Sequence, residues 1–193
     1  MAKTKREILK ENLLNAAESR IESDGLAALR ARDVTKDAGC ALGSLYNAYE
    51  DLDLLILAVN ARTLGRLHAT LQEAAAARQK PEDKLLALAM SYLDFAADNL
   101  TLWAALFDHR MPSNVPVPQW HLDNHTQLIG EIIGPLAQLY PDLDEATLTL
   151  RARTVFAATQ GIVRLSLEGR FVALDPDSVR AELSAFLRQY LNG

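Results

Sequence analysis

One cysteine, Cys40, stands in a chain of 193 residues. That excludes an intrachain disulfide framework and any multi-cysteine zinc finger, and it suits a reducing cytoplasm. Nine glycines and seven prolines are too few for a fibrous or low-complexity chain. Apolar runs are short. The densest, Leu54 to Val59, falls far below the length of a membrane span. The amino terminus turns charged within three residues and lacks the apolar core of a secretory signal. There is no Gly-rich phosphate loop and no Gly-x-Ser-x-Gly turn. No Ser, His and Asp fall at spacings that assemble a triad, so no catalysis and no cofactor are expected. Strand signals are nearly absent as well, since proline breaks the one alternating stretch, Val115-Pro116-Val117. A soluble, cytoplasmic, helical protein with no membrane association is the expectation.

What is present supports a packed core: 49% of the residues are hydrophobic and 23% are charged. The length suits one compact unit or a small module joined to a larger one. The charge is uneven. Residues 1–50 are neutral overall with a basic leading arm, Lys3, Lys5, Arg6 and Lys10, while the whole net charge of −5 falls on residues 51–193.

Helical periodicity runs through the chain. Leu9, Leu13, Ala16, Ala17 and Ile21 share one face of a helix over about 5–23, and Asp24-Gly25 ends it. Short helices follow at about 32–38 and 42–49, separated by Gly39-Cys40-Ala41. A long helix over about 52–78 carries Leu57, Ala61, Leu64, Leu67 and Leu71 in steps of four and three. Pro81, with Glu82 and Asp83, opens the next helix. A Leu-, Trp- and Phe-rich segment covers 100–109, and residues 111–118 form a proline loop. A helix over about 118–140 is expected to be interrupted at Gly134-Pro135. A helix over 144–170 presents Leu148, Ala152, Val155, Ala158, Ile162 and Leu165, and the last covers about 175–192. The fold class is all-α with about nine helices: a three-helix helix-turn-helix module over 1–50, then a helical bundle over 51–193.

Two short helices around a tight Gly turn make a helix-turn-helix, whose second helix can enter a major groove. Val34, Ala38, Leu45 and Tyr49 would fix the crossing, leaving Leu42, Ser44, Tyr46 and Asn47 outside. The run from Asp33 to Tyr49 resembles the DNA-binding signature of the TetR family of bacterial repressors. It has an aliphatic residue, an Ala38-Gly39 turn, then Gly43-Ser44-Leu45-Tyr46 and the closing aromatic Tyr49. Gly25 and the Leu-rich fourth helix also match. The resemblance covers about residues 5–60, and the remainder agrees in length and helical layout.

The resemblance implies a ligand-responsive repressor, a homodimer whose paired third helices read a palindrome in double-stranded DNA. Its larger domain would bind a small-molecule effector and shift the fourth helix. Tyr46 would then touch phosphate and Ser44 backbone or base. Leu42 and Asn47, beside Gly43, would face base edges, and Lys3, Lys5 and Arg6 would add nonspecific attraction. Ala48 and Leu52 depart from the family, which often has His and Lys there. Glu50, Asp51 and Asp53 put carboxylates near the same edge, and Arg30 and Arg32 would supply the missing positive charge. The alternative is a dimeric small-molecule-binding module with degenerate DNA recognition, in which Leu42, Ser44 and Asn47 are ordinary surface residues and the arm a solvated tail.

Trp103, Phe107, His109, Met111, Trp120, His121 and His125 cluster about the proline loop and read equally as an effector cavity or as core. His121 and His125 share a helical face, yet no third metal ligand follows at a fixed spacing. Cys40 stands where the family has a small aliphatic side chain and reads as a packing thiol. Phe156 and Gln160 occupy the Trp and His positions of one C-terminal class of the family. Ala158 and Gly161 would admit a second helix at a four-helix dimer interface.

Overall fold

A computed structural model describes residues 3–169 and 174–192. Among these there are nine α-helices and no strand: α1 (Lys5–Asp24), α2 (Ala31–Asp37), α3 (Leu42–Tyr49), α4 (Leu52–Ala76), α5 (Pro81–Asp98), α6 (Leu100–Asp108), α7 (Gln119–Leu139), α8 (Glu145–Leu167) and α9 (Pro176–Asn192). Arg170, the expected end of the eighth helix, lies outside the described residues. No described helix is long and apolar enough to cross a membrane.

The chain forms two compact units. The first holds residues 1–65 and 101–121, the second residues 66–100 and 122–193. In the first, Leu13, Ala17 and Ile21 of α1, Val34 of α2 and Leu45 of α3 are all fully buried in one cluster. Leu55, Ile56 and Val59 of α4 and Leu102 and Ala105 of α6 belong to the same cluster. The first fifty residues therefore share their core with the start of α4 and with α6.

Local signals set the ends of these helices. Thr4 and Glu7 form a reciprocal capping box that starts α1 at Lys5. Gly39 takes a φ of 67° between α2 and α3, where a side chain would be strained. Glu50 has a φ of 66° without being glycine, and the Asp51 amide donates to the Tyr49 carbonyl at 2.8 Å. That is a tight γ-turn, and Asp51 then caps α4 by accepting from the Leu54 amide at 2.7 Å. Arg20 Nε donates to Asp37 at 2.5 Å, tying α1 to α2. Arg62 does the same for α4 and α1 through Asn15 and Glu18.

The second unit packs α5, α8 and α9 against one another. Leu85, Leu88, Tyr92 and Ala96 of α5 face inward, as do Val179, Leu183 and Leu187 of α9. Two sequence expectations need correction here. The helix over 118–140 is not interrupted, since Pro135 sits inside a continuous α7. A proline there removes one backbone hydrogen bond, but Pro135 is buried beside fully buried Leu136 on the stripe that includes Leu128, so packing offsets the loss. The buried stripe of α8 is also rotated. It reads Leu148, Ala152, Val155, Thr159 and Val163, leaving Leu165 exposed and Leu150 66% exposed. The periodicity was ambiguous because α8 is apolar on two sides.

Candidate nucleic-acid interface and apolar cavity

The α3 helix is short, so its two faces are set by a few contacts. Leu45 and Ala48 point into the core of the first unit. Tyr49 closes the inner side: its hydroxyl donates to the Lys10 carbonyl at 2.9 Å, and Lys10 Nζ lies 5.4 Å from the ring centroid. What remains faces outward. Leu42, Gly43, Tyr46 and Asn47 are exposed and Ser44 is half-buried. Tyr46 is 48% exposed, an unusual loss of burial for an aromatic ring with a core beside it.

Arg30, Arg32, Leu42 and Tyr46 line one open cleft, so four of the proposed DNA-contacting residues come together on this surface. Arg30 is not a side-chain cap for α2. Its Nη1 donates to the Ala27 and Leu29 carbonyls, both at 2.8 Å, which fixes the guanidinium at the edge of the cleft. The arm divides: Lys3 pairs with Glu11, while Lys5 and Arg6 are exposed with no ion-pair partner among the described residues. Of the two departures, Ala48 is buried and Leu52 half-buried. Cys40 is a half-buried thiol packed against the core cluster.

The aromatic and histidine candidates differ in burial. In the first unit Trp103 is fully buried, with its ring 5.4 Å from that of Phe107 at 64°. Exposed Trp120 meets His121 edge to face at 5.6 Å, and Met111 is half-buried. In the second unit His125 is half-buried, and burial holds its imidazole below the usual range. Among the described residues no group of three His, Cys, Asp or Glu could hold a metal ion.

His109 directly follows α6, with a side chain only 7% exposed. Its Nε2 is 3.6 Å from Asp53 Oδ1 and has no hydrogen-bond partner among the described residues. Burial lowers its pKa, against the opposite pull of Asp53 and Asp51. The folded chain thus holds a proton on His109 less readily than the unfolded chain does. Stability is expected to fall as the pH drops through the ordinary histidine range, about 6.5, and to be regained above it. Urea midpoints at neutral and mildly acidic pH check this; His109→Asn should flatten the difference, and an unchanged slope would count against it.

An apolar cavity lies within the second unit and encloses about 40 Å³. Leu67 and Leu71 of α4, Leu85, Leu88, Ala89 and Tyr92 of α5, Leu128, Glu131 and Ile132 of α7, and Val155, Phe156 and Thr159 of α8 line it. None of the seven aromatic, Met and His candidates is among them. Two features of the sequence lie at it, although neither identified it as a cavity. Phe156 stands at a position singled out by the family comparison. Glu131 sits on the apolar stripe of α7 between Leu128 and Ile132, a charge where periodicity calls for a hydrophobe.

The tetracyclin repressor-like C-terminal domain matches residues 85–190. Among solved structures, a protein of unknown function from Rhodococcus sp. RHA1 is similar with a TM-score of 0.76 and 23% identity, covering 96% of each chain. A TetR family transcriptional regulator, PfmR, from Thermus thermophilus gives 0.63 at 15% identity, covering 94% of this chain and 97% of its own. A TetR transcriptional regulator from Rhodococcus sp. RHA1 gives 0.66 at 14%, covering 96% and 97%. A search of curated proteins finds no match.

Proposed function

Because the chain belongs to the tetracyclin repressor-like (TetR) family, we propose that it is a homodimeric, ligand-responsive transcriptional repressor acting on a palindromic operator. One observation carries the DNA-reading part: Tyr46 and Asn47 stand outward on α3, and Tyr46 shares an open cleft with Arg30 and Arg32. A side chain set of that kind suits a phosphate rail beside a groove. Arg30, Arg32, Lys5 and Arg6 supply sequence-independent attraction, and Tyr46 and Ser44 fix the register. Asn47 can read adenine, and Leu42 can meet a thymine methyl.

The second, apolar side of α8, with exposed Leu150 and Leu165 and the small Ala158 and Gly161, supports pairing with a second copy. A symmetric pair would hold its two α3 helices about 34–36 Å apart, the spacing of successive major grooves. The cavity supports effector binding. At about 40 Å³ it is far below the roughly 300 Å³ or more of a typical ligand site. An effector must therefore displace its leucines, among them Leu67 and Leu71, which lie on the same continuous helix as Leu55, Ile56 and Val59. A ligand that favours the displaced arrangement would release DNA by population shift.

Titration of a palindromic upstream fragment at several salt concentrations tests the reading. Specific binding should weaken steeply with salt. Tyr46→Phe is expected to weaken binding to every sequence, and Asn47→Ala to cost about 1–3 kcal/mol at one base position while relaxing preference there. Salt-insensitive binding, or identical behaviour of both variants and the parent, would instead favour a dimeric ligand-binding module whose carboxylates at Glu50, Asp51 and Asp53 no longer permit DNA recognition.

A further inference from the structure

Resting on the effector reading above, we infer that the cavity takes an amphipathic cation, an apolar body bearing one primary ammonium group that Glu131 receives. Glu131 is the single charged residue among those lining the cavity. Its Oε1 accepts two hydrogen bonds from α4, from His68 Nε2 at 2.9 Å and Gln72 Nε2 at 3.0 Å. Its Oε2 accepts none among the described residues. Two donors on one oxygen fix the direction of the carboxylate and leave the other oxygen with its lone pairs available. The Tyr92 hydroxyl on the cavity lining already donates to Gln160 Oε1.

A carboxylate set in a leucine wall discriminates by charge. An ammonium group seated there meets an opposite charge and an acceptor on a half-buried side chain, whereas a carboxylate ligand would meet repulsion. The apolar walls reward any hydrocarbon body alike, so the head group decides. The competing account makes Glu131 a structural tie between α7 and α4, through His68 and Gln72. Glu131→Gln separates the two, because glutamine keeps an acceptor oxygen for the tie and removes the charge.

The test is calorimetric titration of the full chain with hexylamine, 1-hexanol and hexanoate at neutral pH. Salt of about 0.5 M shortens the screening length to roughly 4 Å, which removes the general attraction of an acidic surface. Hexylammonium should bind at least about tenfold tighter than hexanol, the scale of one charge-assisted hydrogen bond, with hexanoate weakest. Glu131→Gln should bring hexylammonium down to the level of hexanol and leave hexanol unchanged. Equal binding of amine and alcohol, or a preference that survives in Glu131→Gln, overturns the cation assignment and leaves the effector cavity standing. Failure of all three to bind at millimolar concentration overturns the cavity as an effector site as well. Should Glu131→Gln not fold, the order of the three head groups in the unaltered protein decides alone.

Discussion

Truncation of Leu45 to alanine is expected to lower the stability of the first unit by about 3 kcal/mol and to abolish specific DNA binding with it. Leu45 is fully buried on the inner face of α3, in one cluster with Leu13 and Ala17 of α1 and Val34 of α2. Removing its branch leaves a void that these neighbours cannot close, because α1 is held on α2 by Arg20 and Asp37 and on α4 by Arg62. A helix of eight residues has no stability of its own and holds its shape only through that packing. Denaturant unfolding followed by helicity, with DNA binding measured in parallel, gives the check. Asn47→Ala is the contrast: its side chain is exposed, so binding should change while the unfolding midpoint stays within about 0.5 kcal/mol of the parent. Equal losses of stability in both variants would mean that α3 does not have the inner and outer faces described.

The second large effect is expected at Trp103. Trp103→Ala should cost about 3–5 kcal/mol, whereas Trp120→Ala should cost less than about 0.5 kcal/mol. Both indoles belong to one sequence cluster, and the structure separates them. Trp103 is fully buried against Phe107 on α6, while Trp120 is 44% exposed at the start of α7. Fluorescence provides an independent reading. Trp103→Phe should remove the blue-shifted component of the emission and Trp120→Phe the red-shifted one. Similar unfolding costs for the two alanine variants would remove the distinction.

Helical structure was legible along the chain because its determinants are local. Thr4 with Glu7, Gly25, Gly39, Pro81 and Asp144 mark ends, and the apolar steps of four and three mark faces. The helix-turn-helix was legible for the same reason, since its turn and both crossing contacts lie within seventeen residues. Local signals misled where they competed with distant packing. Pro135 carries a break signal that burial of Leu128 and Leu136 overrode. On α8, two apolar stripes of equal period left the inward one undetermined until α8 packed against α5 and α9, with Thr159 and Val163 buried.

Sequence alone determined the all-helical class, the element order, the family and the outward placement of Leu42, Tyr46 and Asn47 on α3, though not the partial burial of Ser44, since each follows from residue type at short spacing. Tertiary structure alone decided which aromatics are core and where the cavity lies. It also decided that Glu131, His68 and Gln72 meet, although 63 and 59 residues separate the partners along the chain. Contacts between residues so far apart are chosen by which helical faces pack together. Periodicity says that a helix has a buried face but not what that face will touch.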